Sequence, residues 1–201
     1  MPYQIGIPMD GSAVSQAFEP KLKLDDRLDL LRLLTRPTKL QAEEIESIPR
    51  TLIVGEPDDG PFPDILGWNL GPWIVSPRLH EIIETLEPSV HDFVPIHVVS
   101  ENGSSDHGNY YIILLDHTLD AVNYEMTHFL FGTGFDAARS SNYMILPGPN
   151  NCVLNADAIR GDHLWRAPSP MHYCYFCSDE LYDRIKGEGM RGWGFCACKA
   201  V

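Results

Sequence analysis

The sequence predicts an α+β fold: a mainly antiparallel sheet with short helices packed on it, organised as two strand–helix–strand units. Three observations lead there. First, the stretch from Val75 to Phe93 returns 102 positions later as Cys177 to Phe195, without a gap. Ser76 aligns with Ser178, Leu79 with Leu181, Ile83 with Ile185 and Phe93 with Phe195. Second, residues 90–99 alternate, with Val94, Ile96 and Val98 on one face. Third, residues 110–116 are apolar on both faces, as a central strand requires, and a turn-rich loop over 101–108 joins them to the preceding strand as a hairpin.

The elements follow in order. Residues 1–20 are rich in Pro and Gly and read as loop, with a short edge strand over 3–7. Residues 25–35 carry Leu28, Leu31 and Leu34 on one stripe, widened by Leu30 and Leu33, and predict a helix ended by Pro37. Residues 41–47 read as a solvated helical turn or loop, and 51–55 as a strand. Residues 56–64 are dense in turn formers. Residues 1–70 thus read as an irregular N-terminal region with one helix, packed on a more regular domain over 71–201 to make one compact unit.

In that domain 73–75 predicts a strand. Ser76 caps a helix, Pro77 takes its first position and Pro88 ends it, with Leu79, Ile82, Ile83 and Leu86 inward. Residues 118–129 read as a short helix or helical turn. Short strands follow at 143–146 and 152–154, a helical turn at 155–161 with an Asn cap, and strands at 163–166, 173–177 and 193–198.

Charge narrows the function. The net charge is −13, from 28 acidic and 15 basic residues, which disfavours nucleic acid and anionic membranes as partners and favours a basic one. No Lys or Arg occurs between Arg78 and Arg139. The acids in and around that interval nominate a binding face: Glu81, Glu84, Asp92, Glu101, Asp106, Asp116, Asp120 and Glu125. No apolar run is long enough to span a bilayer, and the start of the chain shows no signal peptide, so the expected address is the cytoplasm. Five cysteines, an odd number, suit a reducing compartment.

Candidate chemistry is sparse. Cys174 and Cys177, followed by Cys196 and Cys198, have zinc-ribbon spacing, but residues three apart in a strand face opposite ways, so these thiols read as small hydrophobes. Residues 132–137 match a loose dinucleotide fingerprint without the helix it needs. His117, with the C-terminal cysteines, defines the competing reading of a thiol- or metal-dependent enzyme; a scaffold or oligomerisation module is the third. Trp165 and Trp193 read as core. No catalytic residue, metal or cofactor is expected.

Several segments, in order, carry a resemblance: residues 71–83, 93–98, 110–121, 163–166, 176–181 and 189–195. Together they resemble the immunity-protein-eleven family of bacterial polymorphic-toxin systems, from about residue 70 to 195. The resemblance implies a non-enzymatic protector that binds and blocks a cognate toxin, and it brings no catalytic or metal residues with it.

Overall fold

The computed structural model describes residues 1–6, 16–19, 24–35, 39–57, 60–67, 73–129, 145, 148–168 and 174–201. In chain order the strands are β1 (Tyr3–Gly6), β2 (Gln16–Glu19), β3 (Thr51–Val54), β4 (Ile65–Leu66), β5 (Ile74–Val75), β6 (Asp92–Ser100), β7 (Asp106–Leu114), β8 (Val153–Leu154), β9 (Leu164–Arg166), β10 (Tyr175–Cys177), β11 (Gly194–Ala197) and β12 (Lys199–Ala200). The helices are α1 (Leu24–Thr35), α2 (Ala42–Ser47), α3 (Pro77–Leu86) and α4 (Asp179–Gly187), with a 3-10 turn at Ala156–Ile159. The fold is α+β with mostly antiparallel pairing. The chain forms two compact units.

The first unit holds Ile7–Asp116 and Gly189–Trp193. Its six-stranded sheet runs β2-β3-β6-β7-β5-β4, antiparallel except where β3 meets β6. The alternation in β6 sends Val94, Ile96 and Val98 into one core with Ile112 and Leu114 of β7, Leu52 and Val54 of β3, and Leu30 and Leu34 of α1. The register puts Pro95 and His97 on the other face, with Tyr111 and Asn109 opposite them. Helix α3 packs there, burying Leu79 and Ile83. Its start is specified locally: Ser76 Oγ accepts the Leu79 N–H at 3.3 Å, and Pro77 gives up a donor that has no partner in a first turn.

The second unit holds Met1–Gly6, His117–Glu188 and Gly194–Val201. Its four-stranded sheet runs β11-β1-β10-β9, and β12 pairs in parallel with β8. Trp165, Phe176, Leu154 and Val122 lie in its core with Cys152, Cys174 and Cys198.

Several expectations need correction. The strand over 3–7 is not an edge: β1 pairs with β10 on one side and β11 on the other. Residues 101–108 are not all loop, because β7 begins at Asp106; a bulge at Val98/Val99 and a left-handed Gly108 (φ 79) keep the pairing going. Residues 118–129 form no helix. Isolated bridges at Thr118, Val122 and Phe129 draw their backbone to neighbouring segments, and only 124–126 turns. Strand β2 stands where loop was expected, and β4 and β12, two residues each, had no sequence expectation. Trp165 and Trp193 are core, as expected.

The repeat extends well beyond the aligned helix. In the first unit Val75 pairs with both Ile65 and Tyr111, and Phe93 with Ile113. In the second, Cys177 pairs with both Leu164 and Tyr3, and Phe195 with Ile5. Thr51 pairs in parallel with His97, and Val153 with Lys199, again 102 positions on. Thus β9-β10-β1-β11 reproduces β4-β5-β7-β6 in order and register, and β8-β12 reproduces β3 against the end of β6. One strand breaks the linear order. The counterpart of β7 does not follow β11 in the chain; it is β1, from the N-terminus.

Candidate interaction surface

The acids nominated from sequence fall into separate groups. Glu81 and Glu84 lie on α3, Glu81 exposed and Glu84 half-buried. Glu101 and Asp106 bracket the turn between β6 and β7, both exposed. Asn102 organises that turn: its side-chain oxygen accepts the Ser104 N–H at 2.9 Å and the Ser100 hydroxyl at 3.0 Å. Asp106 accepts the Gly108 N–H at 2.9 Å and pairs with His97 at 3.1 Å. Asp92 lies at the far end of β6, about 27 Å along a nine-residue strand, and pairs with Lys39 at 3.1 Å. Asp116 is half-buried beyond the end of β7. Asp120 and Glu125 belong to the second unit, where Asp120 accepts the Tyr124 hydroxyl at 3.4 Å. Burial, and then the Asp120 charge, push the Tyr124 phenol up to about 12.

On the sheet face that carries α3, Glu81 and Glu84 lie toward the Phe93 end of β6, and Glu101 and Asp106 stand at its other end. His97 and Asn109 lie between them on that face, with exposed Pro95. The guanidinium of Arg50 donates to the carbonyls of Pro95 and Ile45 at 3.2 and 2.9 Å. The register that puts these side chains on one face is not visible in the sequence of any one strand.

The thiols are built as core. Cys177 occupies the position of Val75 in the repeat, Cys196 that of Val94 and Cys198 that of Ile96. Cys152, Cys174, Cys177 and Cys198 are buried, and all five cysteines are free. Burial raises the Cys174 thiol to about 12 and Cys177 well above the usual range. A hydrogen bond with Cys198, and then burial, raise Cys152 strongly. Thiols held protonated in this way are poor nucleophiles and poor ligands. His117 Nε2 lies 2.7 Å from Asp162, which orients the imidazole toward a carboxylate rather than a sulfur. Among the described residues no group of three or more His, Cys, Asp or Glu is arranged to hold a metal ion. The dinucleotide-like stretch at 132–137, and most of the strand expected over 143–146, lie outside the described residues.

The structure is an α+β framework in which one strand–helix–strand pattern occurs twice, with four of its five thiols buried. The chain belongs to the immunity protein family Imm11, whose model matches residues 8–200. Membership gives it a toxin-neutralising role with a toxin as partner. No curated protein matches the chain. Among the described residues no helix is long and apolar enough to cross a membrane.

Proposed function

We propose that the chain neutralises a basic toxin domain in the cytoplasm by binding it through acidic side chains, with no reaction of its own. The observation that carries this reading is the clustering of acid without base within an immunity-family chain. Sixty consecutive residues lack Lys and Arg, and they supply α3 after Arg78, all of β6 and all of β7. Glu81 and Glu84 on α3, with Glu101 and Asp106 at the far end of β6, supply the principal acidic groups. Asp120 and Glu125 form a second acidic patch in the other unit. Asp92, neutralised by Lys39, and half-buried Asp116 contribute less to the field. A surface of this sign accelerates capture of a basic partner and rejects nucleic acid.

The test uses the cognate toxin domain, sought as the variable C-terminal domain of a secreted protein encoded beside this chain. Replacing Glu81, Glu84, Glu101 and Asp106 together by Lys lowers its association rate about tenfold or more at low ionic strength and abolishes protection of cells expressing it. Wild-type association slows as salt rises. Protection left intact in the fourfold variant refutes the acidic-surface reading.

A further inference from the structure

The two copies share one aromatic arrangement. In the first, His80 of α3 stacks on Tyr111 with centroids 4.3 Å apart and meets Phe93 edge-on at 4.3 Å. Phe93 and Tyr111 are themselves edge-on at 6.3 Å. In the second, Tyr182 of α4 stacks on Tyr3 at 3.9 Å and meets Phe195 edge-on at 5.0 Å. Tyr3 and Phe195 are edge-on at 6.3 Å. Tyr182 and Phe195 follow His80 and Phe93 by 102 positions, and Tyr3 takes the place of Tyr111 in the register.

One position on this common frame reverses its charge. Lys186, one turn after Tyr182, holds its ammonium 5.2 Å from the centre of the Phe195 ring and 5.9 Å from that of Tyr182. The residue 102 positions earlier is Glu84. The second triad is therefore capped by a cation from its own helix, while the first has a carboxylate at the equivalent helix position. Aromatic faces attract cations, and a carboxylate beside them strengthens the attraction. His80, Glu84, Phe93 and Tyr111 are all partly exposed, and Glu84 forms no ion pair among the described residues. The adjacent bases are engaged elsewhere: Arg78 stands 3.7 Å from Asp64, and Arg50 holds backbone carbonyls.

We propose that Glu84, His80, Phe93 and Tyr111 form a receptor for one lysine or arginine side chain of the protein partner, in the place that Lys186 fills from within the chain in the second copy. The partner's cation pairs with Glu84 and lies against the Phe93 ring. The proposal rests on the toxin-binding reading and adds the residue type the toxin must present and the point where it is held.

Calorimetric titration with the cognate toxin domain tests it. Glu84→Lys fills the receptor as Lys186 does, so the chain folds normally by circular dichroism and binds at least about tenfold more weakly. Glu84→Gln and Tyr111→Leu each weaken binding without adding charge, and Lys186→Glu leaves it unchanged. Equal affinity of wild type and Glu84→Lys overturns the receptor, as does a wild-type self-association that Glu84→Lys abolishes. A second arm needs no toxin: N-acetyl-arginine amide shifts the amide resonances of His80, Phe93 and Tyr111 in wild type and not in Glu84→Lys. If wild type binds no toxin domain, the toxin reading fails, and this arm still decides the receptor. Absence of the shifts in wild type overturns it.

Discussion

The hydroxyl of Ser76 donates to the Asp64 carboxylate at 2.9 Å while accepting the Leu79 N–H. Ser178 does the same work in the second copy, 2.9 Å from His163 Nδ1 and accepting the Leu181 N–H at 3.1 Å. Each serine therefore caps a helix and ties it to the outermost strand of its sheet. Ser76→Ala or Ser178→Ala removes both bonds and costs about 1–2 kcal/mol. Urea unfolding measures this, and the two losses should be similar because the two geometries are.

Gly192 has φ 119 and lies against the carbonyl of Ile65, which a Cβ at that position would strike. The close approach lets Ile65 N–H reach the Arg191 carbonyl at 3.0 Å. Gly192→Ala must move backbone rather than a side chain, so we expect a loss of about 2 kcal/mol or more, seen as a lower Tm.

Tyr110 donates its hydroxyl to the Pro63 carbonyl at 3.0 Å, and burial pushes its phenol up to about 12. Its folded value lies above its ordinary value, so its contribution to stability is complete below about pH 10 and is lost as pH rises toward about 12. Wild-type Tm should fall over that window. Tyr110→Phe should start lower, for want of the hydrogen bond, and show a shallower alkaline fall.

Cys196 is half-exposed while the other four thiols are buried. Native protein treated with a thiol reagent at pH 8 should react first at Cys196, with the rest released only on unfolding. Peptide mapping of the labelled protein checks it. Rapid labelling of Cys152, Cys174 or Cys177 would contradict the packing described above.

Local patterns were the legible part of the sequence. Ser76 and Ser178 announce their helices because capping acts within four residues, and Leu79, Ile83, Leu181 and Ile185 are buried as their spacing requires. The hairpin of β6 and β7 was legible because a turn separates two adjacent apolar strands. The acidic interval was visible as composition, but composition did not sort its members. Asp92 proved to be tied to Lys39 and Asp106 to His97, and those partners come from other segments. The expected helix over 118–129 failed for the same reason, since its backbone is claimed by Arg166, Leu154 and Ile145.

The sequence by itself determined the repeated cap, helix and strand, the excess of acid and the apolar character of the cysteine positions. All of these follow from short-range spacing and residue chemistry. Only the tertiary structure decided that β1 completes the second sheet, that Tyr3 stands where Tyr111 stands in the first, and that the helices bearing Glu84 and Lys186 pack on equivalent aromatic triads. Strand pairing joins residues distant in sequence through backbone hydrogen bonds that any side chain permits. The partner of a strand is therefore set by the packing of the whole sheet rather than by the residues of the strand.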